Sequence, residues 1–283
     1  MAGPFRAGLV QMTATNQMAD NIPMASALID RAAEGGADLI LTPEVTSLME
    51  RRVKSSLAQC KPEAQDPALA AFRDQAARLG KWLAIGSLPI KLAEDRLANR
   101  SFVLAPDGSI AARYDKIHMF DVNLPDGETI RESRAYQPGD KAVTVDLPWG
   151  RMGLSICYDL RFAALYRNLA QAGARFLTVP AAFTRITGEA HWHVLLRARA
   201  IETGSFVLAA TQCGDHADGR KTFGHALVVA PWGEVLSDGG TEPGVSYADI
   251  DPALVDEARG RIPALSHDRA FAPAPGTGKE GAS

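Results

Sequence analysis

The strongest constraint on the fold is a recurrence of short apolar runs separated by stretches of helical period. Residues 5–12, 37–42, 82–88, 101–105, 151–156, 176–179, 206–211, 226–230 and 245–250 read as strands. Most are continuous rather than alternating, the pattern of strands covered on both faces. Residues 21–33, 67–79, 163–172 and 190–203 carry helical patterns between them. The alternation predicts a layered α/β fold. It breaks twice, at a hairpin over 101–114 around Pro106-Asp107-Gly108 and at a second turn, Pro231-Trp232-Gly233. The expected architecture is therefore mixed, with helix layers outside and sheets containing antiparallel pairs inside. No repeat and no Pro/Gly/Ser linker divides the chain, so residues 1–271 read as one domain. Residues 272–283, rich in Ala, Pro, Gly and Ser, read as a disordered tail or an arm on a partner.

Composition removes several function classes. The chain has 283 residues and a formal net charge of -3, so no basic field is available to hold a nucleic acid. No apolar run approaches the roughly 20 residues that span a bilayer. The segment before the first strand has no signal-type apolar region, which predicts no leader. Three cysteines, Cys60, Cys157 and Cys213, are too few and too scattered for a disulfide framework or a zinc site. The reading expects a cytoplasmic protein without metal or organic cofactor, acting on a small molecule.

Cys157 lies in Gly153-Leu154-Ser155-Ile156-Cys157-Tyr158-Asp159-Leu160-Arg161, where an apolar run ends and a helical pattern begins. A thiol at such a corner stands at the end of a sheet with backbone N–H groups aimed at its target. Two other ionisable residues occupy comparable corners. Glu44 follows Leu39-Ile40-Leu41-Thr42-Pro43, and Lys116 follows Arg113-Tyr114-Asp115. A thiol is mostly protonated at neutral pH and needs a base. Desolvated Glu44 could take the proton, and Lys116 with the Tyr158 N–H could hold an oxyanion. Histidine is the commoner partner of a cysteine. His118, His191, His193, His216, His225 and His267 keep a Cys-His hydrolase open on residue chemistry alone.

The three corner segments, in this order and at these separations, resemble the nitrilase superfamily of carbon–nitrogen hydrolases. The likeness runs from Phe5 to about Ile262. It implies a four-layer αββα sandwich, dimers joined through helical layers, and a Glu-Lys-Cys triad. By position Glu44 becomes the base, Lys116 the oxyanion stabiliser and Cys157 the nucleophile. Glu132, in Arg131-Glu132-Ser133, matches a second glutamate that orients the lysine or the substrate amide.

Ala181-Ala182-Phe183-Thr184-Arg185, Leu195-Leu196-Arg197-Ala198-Arg199-Ala200-Ile201-Glu202, Gln212-Cys213-Gly214 and Phe223-Gly224-His225 resemble the Nit-type amidases. The match is closer to the deaminated glutathione amidase branch than to the omega-amidase branch. Both act on an amide at the far end of a 2-oxo acid. The implied reaction needs no metal. The local Cys157-Tyr158-Asp159 sequence is nearer the amidases than the true nitrilases, and three separately placed triad residues argue against a purely binding role. His193, Ala226 and Ala230 depart from the pattern, and Ser266-His267-Asp268-Arg269 matches a basic C-terminal motif only in part. For the substrate, Tyr158, Phe183 and Arg185 are the expected contacts. Arg185 is assigned to a loop before the His191 helix, as the cation for a substrate carboxylate.

Overall fold

The computed structural model describes residues 3–125, 127–272 and 274. The expected tail at 272–283 therefore lies outside the described residues, apart from Ala272 and Ala274.

In chain order the elements are β1 (Phe5–Met12), α1 (Met18–Glu34), β2 (Leu39–Leu41), α2 (Val53–Gln59), α3 (Pro67–Leu79), β3 (Trp82–Ala93), β4 (Arg96–Leu104), β5 (Ile110–Asp115), β6 (Asp121–Asn123), β7 (Thr129–Arg131), β8 (Thr144–Leu147), β9 (Gly150–Gly153), α4 (Ala163–Gln171), β10 (Phe176–Thr178), α5 (Arg185–Thr203), β11 (Phe206–Ala209), β12 (Thr211–Asp215), β13 (Lys221–Phe223), β14 (Leu227–Val229), β15 (Val235–Asp238), β16 (Gly244–Ile250) and α6 (Ala253–Arg261).

The larger sheet runs β13-β12-β1-β2-β3-β4-β5, with β16 antiparallel to β1. Its centre, β1-β2-β3, is parallel; β4-β5 is the expected antiparallel hairpin, and β3 also pairs antiparallel with β4, a hairpin the sequence reading did not include. The smaller sheet runs β15-β14-β11-β10-β9-β8, with β9, β10 and β11 parallel. A short pair, β6-β7, stands apart.

Strand periodicity decides the layers. Successive side chains point to opposite faces of a sheet. Phe5, Ala7, Leu9, Leu39, Leu41, Ala84 and Val103 join Met152, Phe176, Phe206, Leu208 and Val228 in the core between the sheets. Their neighbours Val10, Met12, Ile40, Leu83, Ile85, Phe102 and Leu104 pack instead under α1 and α3, against Ala25, Ile29 and Phe72. Helices α4 and α5 lie on the smaller sheet, with Leu169, Trp192 and Leu196 buried there. The result is the αββα sandwich. Both faces of the central strands are covered, which is why their sequences read as unbroken apolar runs.

Local chemistry sets the helix ends. Asp66 caps α3 by accepting from the Leu69 N–H at 2.8 Å, Pro67 opens the helix, and Gly80 closes it at φ 62°. One boundary differs from the sequence reading in a way that matters. Helix α5 starts at Arg185, not at 190. Gly188 reads as loop from sequence, yet it lies in the helix where a Cβ would collide with Phe223. Its role is close packing rather than chain flexibility, so Arg185 belongs to a helix and not to a loop.

A bulge in β3 grips the turn after β2. Register shifts between Ile85 and Leu88. There the Gly86 N–H donates to Thr42 Oγ1 at 3.1 Å, Ser87 N–H to the Pro43 carbonyl at 3.2 Å, and Val45 N–H to Ser87 Oγ at 2.8 Å. A Cβ on Gly86 would run into the backbone oxygens of Thr42 and Pro43. Gly86→Ala is therefore expected to lower stability by about 1–3 kcal/mol through overpacking and to push away the turn that carries Glu44. Urea unfolding checks this; an unchanged midpoint would show that the turn yields freely.

Candidate active site

Glu44, Lys116, Glu132 and Cys157 come together at the floor of one cavity of about 260 Å³. Glu44 follows β2, Lys116 follows β5, Glu132 follows β7, and Cys157 opens a 3-10 turn after β9. The sites are thus contributed by both sheets. Lys116 is almost wholly buried at 1% exposure, so its charge must be satisfied internally. Its Nζ lies 2.9 Å from Glu44 Oε1 and 3.0 and 2.9 Å from the two oxygens of Glu132. Asn99 Nδ2 bridges the same carboxylates, donating to Glu44 Oε1 at 2.9 Å and Glu132 Oε1 at 3.1 Å. The Ala182 N–H donates to Glu44 Oε2 at 2.8 Å, and Phe120 N–H to Glu132 Oε2 at 2.7 Å. Cys157 lines the same cavity, and the Glu44 charge acts on its thiol.

Three opposing effects set the charge states. Burial works to raise the Glu44 pKa, but the Lys116 charge, with hydrogen bonds from Lys116 and Ala182, holds it below the ordinary carboxylate value. Burial would discharge Lys116, yet Glu132 and Glu44 together raise it well above its usual value. Burial, then the Glu44 charge, push the Cys157 thiol up against the smaller pull of Lys116. The resting site therefore holds carboxylate, ammonium and neutral thiol.

Asp159 aligns the cysteine turn. It is fully buried. Its Oδ2 accepts from the Tyr114 hydroxyl at 2.7 Å and the Ile156 N–H at 2.8 Å, and its Oδ1 accepts from the His118 N–H at 3.0 Å. The His118 ring Nδ1 lies 2.7 Å from Oδ1. Asp159 thus joins the residues either side of Lys116 to the residue before Cys157. The turn is tight: Cys157 has φ 48°, and its N–H donates to the Pro180 carbonyl at 2.9 Å.

Tyr158 and Phe183 both line the cavity. Tyr158 meets Phe120 edge-on at 5.1 Å, and Phe183 packs on Trp192 at 4.9 Å. Arg185 does not line it. Its guanidinium pairs with Asp215 at 2.6 Å on the half-exposed start of α5. Besides Lys116, the cations that line the cavity among the described residues are Arg51, Arg131, Arg134 and Arg220. No histidine lines the cavity among the described residues, and His118 is engaged with Asp159.

Sequence reasoning missed Asn99, the Asp159 clamp and Arg220. Asn99 had a signal, a polar residue within the apolar strand segment Leu97-Ala98-Asn99, because a buried amide needs partners. Arg220 had none, since a hairpin arginine usually meets solvent.

A profile of the carbon-nitrogen hydrolase family matches residues 6–260. The chain is 40% identical over 269 residues to a deaminated glutathione amidase of Synechocystis sp., covering 93% of this chain and 98% of that protein. It is 37% identical over 266 residues to omega-amidase NIT2 of Homo sapiens, covering 94% and 95%. Among solved structures, a mutant amidase from Nesterenkonia sp. AN1 superposes with a TM-score of 0.80 at 27% identity, over 95% of each chain. That structure shows covalent addition of the acetamide moiety of fluoroacetamide at its active-site cysteine. This chain belongs to the carbon-nitrogen hydrolase family, and its nearest branch is the Nit-type amidases.

The raised thiol gives a direct test. With no substrate bound, the rate of Cys157 alkylation by iodoacetamide should keep rising with pH through the ordinary thiol range near 8.5, with no plateau. Glu44→Gln removes the second-largest raising influence and should bring the plateau to lower pH. Peptide mass spectrometry of alkylated Cys157 reads both. A plateau well below 8.5 in the unaltered protein would mean a preformed thiolate.

Proposed function

We propose that this chain is an amidase that hydrolyses a small carboxylate-bearing amide through an acyl-enzyme on Cys157, with deaminated glutathione as substrate. The observation that carries the reading is one carboxylate, Glu44, hydrogen-bonded to Lys116 at 2.9 Å in the cavity that Cys157 also lines, where its charge acts on the thiol. Glu44 takes the thiol proton as sulfur bonds to the amide carbonyl carbon. Lys116 Nζ and the Tyr158 N–H hold the oxyanion. As the carbon–nitrogen bond breaks, the proton held by Glu44 passes to the departing nitrogen. Glu44 then removes a proton from water, whose oxygen attacks the thioester. The thiolate leaves, recovers that proton, and the acid departs. Glu132, with both oxygens on Lys116, keeps the ammonium aimed and charged. No step calls for a metal or an organic cofactor.

The relatives named above support the substrate class, and the 37% likeness to omega-amidase NIT2 keeps 2-oxoglutaramate as the second candidate. A substrate of either kind carries a carboxylate, and Arg220 is the cation we assign to it. Arg131 is engaged by the Val122 and Ile130 carbonyls and by Asn123, and Arg51 pairs with Glu128. Arg220 pairs through Nε with Asp218 at 3.3 Å, while its Nη1 lies against Met49 on the cavity lining, near Tyr136, which also feels the charges of Glu132 and Glu44. Tyr136 thus marks a line from the reacting centre to Arg220. The buried free thiols fit a reducing cytoplasm. The exposed apolar residues Val194 and Ile201 on α5, with Trp232, fit a homodimer joined through the helical layer. No described helix is long and apolar enough to cross a membrane.

Cys157→Ala should abolish turnover, and Glu44→Gln and Lys116→Met should each lower kcat at least ~100-fold. Lys116→Met also leaves two carboxylates facing each other, so its fold is checked by circular dichroism. Cys60→Ala and Cys213→Ala should retain activity. Burst analysis of acyl-enzyme formation decides the roles: a histidine variant that stops acylation while Glu44→Gln does not would overturn the triad.

Deaminated glutathione, 2-oxoglutaramate, a neutral amide of similar size and a simple nitrile, assayed side by side, test the substrate. Deaminated glutathione should show the highest kcat/KM. Arg220→Ala should raise KM for the two carboxylates about 10- to 150-fold, the value of a charge-assisted contact worth about 1.5–3 kcal/mol, and leave the neutral amide nearly unchanged. Equal effects on all substrates would remove Arg220 from the binding role.

A further inference from the structure

Three side chains with metal-ligating chemistry converge where α5 passes the ends of β13 and β15, away from the catalytic cavity. His193 lies on α5, His225 in the turn between β13 and β14, and Asp238 at the end of β15. Asp238 Oδ2 is 3.0 Å from His193 Nε2, and its Oδ1 is 2.9 Å from His225 Nδ1. All three donor atoms lie within 4.8 Å of one another. None of the three residues lines the cavity.

The donors are held in place by other parts of the fold. His225 sits in the left-handed region at φ 58°, a conformation that costs a non-glycine residue energy unless its surroundings enforce it. Here they do. Its N–H donates to the Gly240 carbonyl at 2.6 Å, its carbonyl accepts from the Trp192 indole N–H at 2.9 Å, and its ring stacks on Phe223 at 4.4 Å. The Gly240 N–H also donates to Asp238 Oδ1 at 2.9 Å. The His193 ring stands edge-on to His225 at 5.1 Å. The imidazole and carboxylate directions are thus set by the backbone around them.

We propose that His193, His225 and Asp238 bind one divalent transition-metal ion of the Zn2+ type, with water completing its coordination. Two imidazole nitrogens and one carboxylate suit such an ion, whereas Mg2+ and Ca2+ seek all-oxygen sites. A tetrahedral ion with bonds of about 2.0–2.1 Å holds neighbouring donors roughly 3.3 Å apart. The 3.0 and 2.9 Å contacts are made to different oxygens of Asp238, and the three donors, already within 4.8 Å of one another, close around the ion by side-chain rotation. Each imidazole then presents a lone pair at the atom now facing Asp238 and carries its proton on the opposite ring nitrogen. The side chains are 36%, 23% and 35% exposed, so both ion and water can reach them.

Such an ion ties α5 to the two hairpins behind the cavity wall. Trp192, next to His193, bonds the His225 carbonyl and packs on Phe183 at 4.9 Å, and Phe183 lines the cavity. The expected consequence is a more stable protein, independent of whether Cys157 is the nucleophile.

The test uses tag-free, EDTA-treated Cys157→Ala protein, so that the active-site thiol cannot compete for the ion. Calorimetric titration with ZnCl2 should show one equivalent bound, with a raised melting temperature. In that background His193→Gln, which keeps an amide N–H for Asp238, and Asp238→Asn, which keeps the Gly240 contact, should each weaken binding at least ~10-fold. MgCl2 should give no heat of binding. Circular dichroism establishes that each variant is folded, and if one is not, the other decides. Absence of stoichiometric Zn2+ binding, or equal affinity in the folded variants, would overturn the site.

Discussion

The buried ammonium of Lys116 between two carboxylates is the interaction on which the site depends. Taking three charges out of water costs several kcal/mol per ion, and only close pairing with full hydrogen bonding offsets it. The surroundings supply that pairing. Asn99 bridges both carboxylates, and the backbone N–H groups of Ala182 and Phe120 take the remaining oxygens. Burial first, and then the Glu44 charge, keep the neighbouring thiol protonated against the pull of Lys116. In the mechanism proposed above, the same Glu44 accepts that proton as negative charge moves out to a carbonyl oxygen beside Lys116. Stability and reactivity thus have one electrostatic origin.

That network exists only at the seam of two sheets. Glu44, Asn99 and Lys116 hang from the larger sheet, while Cys157 and Ala182 follow strands of the smaller one. Asp159 crosses the seam by taking Tyr114 and His118 on one side and Ile156 on the other. Within the larger sheet, the Gln212 side chain on β12 holds the Glu44 turn, its amide donating to the Glu44 carbonyl at 3.0 Å. The inter-sheet apolar core fixes the distance between the sheets, and the Asp159 crossing fixes their lateral alignment. Catalytic geometry is consequently a property of sheet packing rather than of any one loop.

The same logic explains the two kinds of arginine near the site. Arg185 projects from the first turn of α5, where Asp215 on the adjoining strand neutralises it. Arg220, in the hairpin between β12 and β13, also has a carboxylate partner, Asp218 at 3.3 Å, but turns its Nη1 toward Met49 and lines the cavity. Residue type and local sequence do not separate them. The position of Gly188 does, because its lack of a side chain lets α5 close on Phe223 and begin early enough to carry Arg185 onto the outer surface.

By itself the sequence determined the layered α/β class and most strand and helix positions, and it singled out Glu44, Lys116, Glu132 and Cys157, which the fold brings to one cavity. Apolar period, turn residues and motif resemblance are local in the chain, so they survive without coordinates. Tertiary structure alone decided what those residues touch. Asn99 as a bridge, Asp159 as a clamp, Arg220 at the cavity and the His193–Asp238–His225 cluster all join segments far apart in sequence. Burial, which sets the charge states of Glu44, Lys116 and Cys157, arises only when two sheets close over them and exclude water.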